Sequence, residues 1–81
     1  MIYLAIGLEA AVAAIGAGIA IAGGAIGTGV AQSAIGAAGL GLIAEKPEEM
    51  GRVLLFMVIP ETLLIFGFVI AILIMLQAGI V

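Results

Sequence analysis

The sequence contains no cysteine, histidine or tryptophan, and charged residues make up only 9% of its 81 positions. Without cysteine, disulfides and thiolate metal sites are excluded, and without histidine the commonest metal ligand and general base is absent. Only two residues are basic, which argues against nucleic acid as a partner because such proteins need a cationic surface. No Gly-Lys-Ser/Thr occurs, so we expect no nucleotide-binding loop and no catalytic site of the chain's own.

Apolar residues dominate what remains, at 67% of the chain. A soluble domain this small needs a polar surface that this composition cannot supply. Positions 10–44 carry no charge and positions 53–81 carry one. Each run exceeds the roughly 18 apolar residues that are typical of a membrane span. The sequence therefore predicts two transmembrane helices.

The polar cluster at residues 45–49, with its proline, separates the two apolar runs and is typical of a tight turn. A single long helix lying on the membrane surface is the alternative, but it would need a polar face that neither run has. We therefore predict an all-α, antiparallel two-helix hairpin in one transmembrane domain over residues 1–81. Its parts are helix one at about 2–44, the turn at about 45–48 and helix two at about 49–78.

The two basic residues, Lys46 and Arg52, both flank the turn. Cytoplasmic loops of membrane proteins carry an excess of lysine and arginine. This bias predicts a multi-pass protein of the cell membrane with a cytoplasmic turn and with both termini on the opposite side.

The two helices differ in side-chain size. Ten of the 13 glycines lie between Gly7 and Gly41, in rows of small residues four apart, whereas helix two is rich in leucine, isoleucine and phenylalanine. Small residues at this spacing let helix backbones approach closely in lipid. Because they occupy nearly every face of helix one, we predict a homo-oligomeric ring of hairpins, with helix one inside and helix two facing lipid. A compact dimer of hairpins is the alternative.

Glu61 is the one charged residue inside an apolar run. It follows Pro47 by 14 positions, which places it about 21 Å along a helix and well inside the hydrocarbon. A carboxylate at that depth costs at least ~2.5 kcal/mol and usually marks an ion path. The alternative is a neutral acid whose hydrogen bonds hold helices together.

Gln32 precedes Pro47 by 15 positions, so in an antiparallel hairpin it should lie at about the same depth as Glu61. Its amide can donate to the carboxyl group or offer its oxygen to a cation, which indicates one shared site. Gln32 could instead be a lone polar residue that holds helices together. Thr28 and Ser33, also in helix one, are expected to bond back to their own helix.

Thr62 adds a hydroxyl beside Glu61, but successive helix residues point about 100° apart. In a ring, Glu61 could therefore face one gap between subunits while Thr62 serves the neighbouring site. Pro60 lacks a backbone donor and should leave the carbonyl of Phe56 without its usual partner. That would open helix two beside the carboxylate.

These residues resemble the membrane-rotor proteolipid of rotary ATPases, the c subunit of F-type enzymes and the K or L subunit of A/V-type ones. The resemblance covers about residues 14–76. The Pro-Glu-Thr motif and the small number of residues between the turn and the carboxylate look most like the A/V-type branch. The single hairpin looks like the prokaryotic form of that branch. The motifs that carry it are Gly27-Thr28-Gly29-Val30-Ala31-Gln32, Ala44-Glu45-Lys46-Pro47-Glu48, Pro60-Glu61-Thr62 and Ile65-Phe66-Gly67.

The resemblance implies that Glu61 is the ion-carrying carboxylate and that Gln32, Thr62 and the Ile59 carbonyl are its fellow ion ligands. If the ion is Na⁺, the side chains that hold it are those of Glu61, Gln32 and Thr62. Leu63 and Phe66 stand where sodium-binding relatives carry polar ligands. These two departures favour H⁺ slightly over Na⁺.

The function implied is ion transport by a rotor ring, coupled to ATP synthesis or hydrolysis in other subunits. Expected partners are further copies of the chain, membrane lipid, a stator subunit whose arginine faces Glu61, and a soluble central stalk at residues 45–52. No cofactor is expected beyond the transported ion. Two alternatives are a small proton-coupled secondary transporter of lipophilic cations, for which aromatic residues are few, and a purely structural or pore-forming oligomer.

Overall fold

The computed structural model describes the backbone of residues 2–80 and the side chains of residue 4 and residues 7–80. The chain is an all-α hairpin 66 Å long and 16 by 11 Å across, which confirms the predicted fold class. Met1 and Val81, which the predicted domain includes, lie outside the described residues. The elements are α1 (Ile2–Glu45), a 3-10 turn (Pro47–Glu49), α2 (Met50–Val58) and α3 (Glu61–Gln77).

Helix α1 is 44 residues long although it holds ten glycines. Glycine weakens a helix in water, but in lipid each backbone group must be bonded within its own segment, and this keeps a glycine-rich span helical. The helix ends where Lys46 N–H donates to the Leu42 carbonyl at 2.7 Å. Lys46 then turns to φ −134° and ψ 82°, because the residue before a proline is pushed out of the helical region.

The second arm of the hairpin differs from the single helix predicted for residues 49–78, because it consists of α2 and α3 with a break at Ile59 and Pro60. Both residues keep right-handed helical dihedral angles. The second arm therefore keeps a helical backbone at Ile59 and Pro60, and what is interrupted there is the series of backbone hydrogen bonds. At its far end α3 closes with Gly79 at φ 73° and with Ile80 N–H bonded to the Met75 carbonyl, a turn that requires a left-handed residue.

The backbones of the two arms approach closely at Gly24 of α1 and Gly67 of α3. A Cβ at Gly67 would lie 2.7 Å from the Ala20 carbonyl oxygen, and one at Gly24 would lie 3.1 Å from the Leu63 carbonyl oxygen. Close backbone approach of this kind is how helices associate in lipid, where burial of apolar surface supplies no driving force.

Little of the hairpin is buried within itself. Among the described apolar side chains only Ala17 and Ala71 are buried, whereas large ones such as Ile19, Leu55 and Phe66 are exposed along both arms. Two stretches are long and apolar enough to cross a membrane, Gly7–Glu45 with mean hydropathy 1.9 and Pro47–Gln77 with mean hydropathy 2.5. Such a surface must be covered by lipid or by other chains.

Candidate functional site

The site is built around the break in the second arm. Pro60 has no backbone N–H, so it cannot donate the next hydrogen bond of the helix. The bonds that follow it span three residues instead of four: Thr62 N–H donates to the Ile59 carbonyl at 3.2 Å, and Leu63 N–H donates to the Pro60 carbonyl at 3.0 Å. Bonds that span three residues tighten the turn and change which carbonyl oxygens are open to other donors. The Met57 and Pro60 carbonyl oxygens accept hydrogen bonds from α1, and the Pro60 oxygen does so in addition to its bond from Leu63 N–H.

Gln32 of α1 connects the break to the carboxylate. Its Nε2 donates to the Met57 carbonyl at 2.9 Å and to Glu61 Oε2 at 3.0 Å. Chemistry fixes the orientation of the amide, because the opposite orientation would put the amide oxygen against the Met57 carbonyl oxygen. The predicted pairing of Gln32 with Glu61 in space is therefore present, with the glutamine as donor.

Glu61 itself is half-buried at the first residue of α3. The chain's two basic residues, Lys46 and Arg52, belong to the turn region, and Arg52 lies 3.3 Å from Glu49 in an ion pair. In the described part of the chain, the Gln32 amide donates to Glu61, and neither basic side chain forms an ion pair with it. A carboxylate without a paired cation can be neutralised by binding a proton or a metal ion.

Thr28 corrects a prediction from the sequence. Its hydroxyl was expected to bond within α1, but it donates across the hairpin to the Pro60 carbonyl at 2.9 Å. It is only 3% exposed and is the only buried polar side chain in the described part of the chain. Sequence reasoning missed it because hydroxyls in membrane helices commonly bond back to the preceding turn. The available signal was its spacing of four from Gln32, which puts both side chains on one face of the helix.

Thr62 and Ile59 make no hydrogen bond to Gln32 or Glu61 in the described network. The Thr62 hydroxyl donates to the Ile59 carbonyl at 2.8 Å, and both residues are exposed on the second arm. Within one hairpin the structure thus brings Gln32 and Glu61 together, and it forms a second pair from the other two residues predicted as ion ligands. The carbonyl that Gln32 contacts belongs to Met57, a residue that sequence reasoning did not select.

The geometry defines a class: a membrane hairpin whose apolar helices meet at one amide–carboxylate pair beside a broken helix. A family model for the C subunit of ATP synthase matches residues 15–74. The chain belongs to this family, and it is a membrane protein.

Two similar proteins are both named A-type ATP synthase subunit K. The A-type ATP synthase subunit K of Sulfolobus acidocaldarius is 48% identical over 66 residues, which cover 82% of this chain and 64% of that protein. The A-type ATP synthase subunit K of Methanocaldococcus jannaschii is 38% identical over 62 residues, which cover 76% of this chain and 28% of that protein. The chain therefore matches less than two thirds of the length of either relative. The similarity to the K subunit agrees with the A/V-type resemblance read from the sequence.

Proposed function

We propose that this chain is the ion-carrying subunit of a rotor ring in an A-type rotary ATP synthase and that Glu61 is its carrier. One observation carries the proposal: the lone acid of the apolar spans accepts a hydrogen bond from Gln32 of the other arm at 3.0 Å. Structural cohesion between helices needs no ionisable group, whereas an ion path does. The chain itself is non-catalytic in this proposal, and nucleotide chemistry belongs to other subunits.

The proposed cycle alternates the charge of Glu61. Ion binding neutralises the carboxylate, so the loaded site can cross the arc of the ring that faces lipid, whereas the bare carboxylate cannot. On return to the stator the ion is released. In this proposal an arginine of the stator, which the family resemblance implies, lies opposite the unloaded site and supplies a cation there. Each ion that crosses supplies about 2.3 kcal/mol per 100 mV of membrane potential.

The proposed ion is H⁺. Gln32 presents an N–H to Glu61, and turning its oxygen toward a cation would break its bond to the Met57 carbonyl. The Thr62 hydroxyl and the Ile59 carbonyl are bonded to each other. A Na⁺ site would therefore need the Gln32 amide to reorient and several oxygens to converge on the ion, whereas a proton needs only the carboxylate.

The proposed ring is supported by several glycines of α1 whose Cβ positions are not occupied by the second arm. Gly24 and Gly67 are used within the hairpin. Six further glycines of α1 have open space where a Cβ would stand, and they can admit the backbones of neighbouring copies. These are Gly7, Gly16, Gly18, Gly23, Gly29 and Gly41. The second arm, with its exposed bulky side chains, would then face lipid.

The proposed orientation puts the turn in the cytoplasm of a cell-membrane protein, with both termini on the opposite side. Lys46 is exposed at the turn, and Arg52 is exposed just after it. The positive-inside tendency favours this arrangement. Residues 45–52, which include the turn, would then contact the soluble central stalk.

The test is Glu61→Gln in the complete ATP synthase, reconstituted into lipid vesicles and assayed for ATP-driven ion uptake. Glutamine keeps the shape of the side chain but cannot cycle its charge, so we expect uptake and coupled ATP synthesis to be lost while the ring still forms. Glu9→Gln is the matched control, because it removes an exposed acid near the start of α1, and it should pump normally. Ion uptake that persists in Glu61→Gln would refute the assignment of Glu61 as the carrier.

A further inference from the structure

We infer that Thr28 is a positioning residue for Glu61, an inference that rests on the proposed role of Glu61 as ion carrier. Thr28 donates its hydroxyl to the Pro60 carbonyl at 2.9 Å, and that carbonyl belongs to the peptide group whose nitrogen is Glu61 N. The bond therefore holds the backbone that carries the carboxylate, although Thr28 makes no contact with the carboxylate itself in the described network.

Thr28 and Gln32 act on the break from the same side. They are four residues apart on α1 and face the carbonyls of Met57 and Pro60, which are three apart on the second arm. Both spacings bring groups onto one face of a helix. The two bonds thus hold the broken segment against α1 at both of its ends.

The contact between Gln32 and Glu61 depends on this placement. One nitrogen must reach two acceptors at once, the Met57 carbonyl at 2.9 Å and Glu61 Oε2 at 3.0 Å. Hydrogen bonds weaken quickly as distance and angle depart from these values. If the Pro60–Glu61 peptide moved away from α1, the bond to Glu61 would lengthen while the bond to Met57 could persist.

Thr28 is buried, whereas the hydroxyl of Ser33 on the same part of α1 is exposed. Thr28 is 3% exposed at the helix–helix contact, whereas Ser33, next to Gln32, is exposed. A buried hydroxyl that lost its acceptor would be unfavourable, so its bond to Pro60 should be persistent. Ser33→Ala is therefore a matched control that removes a hydroxyl from the same helix without touching the break.

The test measures carbodiimide modification of Glu61, which requires the protonated acid, in assembled complexes at one fixed pH. Variants Thr28→Val, which keeps the shape and loses the hydroxyl, and Thr28→Ser, which keeps the hydroxyl, are compared with wild type and Ser33→Ala. The Gln32 amide occupies Glu61 Oε2 at 3.0 Å, so weakening that bond should leave the carboxyl group more accessible to the reagent. We expect modification of Thr28→Val to be faster by about three- to tenfold, the effect of weakening one hydrogen bond to a carboxylate. Thr28→Ser and Ser33→Ala should stay near the wild-type rate.

A double-mutant cycle with Gln32→Leu distinguishes positioning from general packing. If Thr28 acts through the Gln32–Glu61 contact, Thr28→Val should change the rate little once Gln32 is gone, because the two effects share one interaction. An equal effect in both backgrounds, or no effect of Thr28→Val in wild type, would overturn the inference. So would failure of both Thr28→Val and Thr28→Ala to assemble while Thr28→Ser assembles, since the hydroxyl would then serve folding. Wild-type Glu61 that resists modification would count against the proposed function itself.

Discussion

Gly67→Ala adds a single methyl group where the backbones of the two arms approach closely. The new Cβ would stand 2.7 Å from the carbonyl oxygen of Ala20, and ordinary contact begins at 3.4 Å, so the arms must separate by about 0.7 Å. The obstructing atom belongs to the backbone and cannot rotate aside. The Gly24 Cα, 3.6 Å from the same point, leaves little room for a sideways shift.

Overpacking of this kind costs about 1–3 kcal/mol. Alanine also favours the helix over glycine by about 1 kcal/mol, which works in the opposite direction. Gly51→Ala isolates that second effect, because Gly51 lies in α2 with open space around its Cβ position. The difference between the two variants should therefore approach the overpacking cost, about five- to 150-fold in an equilibrium constant.

The assay unfolds the purified protein by adding sodium dodecyl sulfate to the protein in mild detergent. Energy transfer between fluorophores on two introduced cysteines, one on each arm, reports the loss of contact between the arms. The absence of native cysteine makes both labels specific. We expect Gly67→Ala to unfold at a lower detergent fraction than wild type, and Gly51→Ala to unfold at the same or a higher one. Equal stability of the two variants would refute the close approach at Gly67.

Three further predictions concern assembly, topology and the ion. Gly24→Leu should prevent the two arms from packing and so block formation of the oligomer, because a Cβ there already meets the Leu64 Cα at 3.2 Å, whereas Val69→Leu on the exposed face of α3 should assemble. Gel mobility of the complex measures both outcomes, and normal assembly of Gly24→Leu would refute the close packing of the arms at Gly24. Glu48→Cys should react with a membrane-impermeant thiol reagent only from the cytoplasmic side, and labelling from outside would reverse the proposed orientation. Carbodiimide modification of Glu61 at fixed neutral pH should be indifferent to millimolar sodium, and strong protection by sodium would overturn the assignment of H⁺.

Counting residues from the turn predicted the contact between Gln32 and Glu61, but the two backbones do not lie at the same depth. Gly24 packs against the backbone of Leu63 and Leu64, so the point of α1 level with Glu61 is near Gly27. Gln32 is thus more than one helical turn closer to the hairpin turn than that point. The pair meets because side chains lean toward the N-terminus of their own helix, and in an antiparallel hairpin these two lean toward each other.

The sequence alone determined the two apolar arms, the turn between them and the isolation of Glu61, because hydropathy, proline and charge act locally along the chain. It also showed which residues could take part in a site, including Gln32, Thr62 and Pro60. Only the tertiary structure decided how they combine. The rotation of α1 about its axis turned Thr28 onto the Pro60 carbonyl and Gln32 onto Met57, whereas Thr62 bonds to Ile59 within its own arm. That rotation follows from backbone contact at Gly24 and Gly67, and a helix with small residues on nearly every face does not specify in its sequence which face makes that contact.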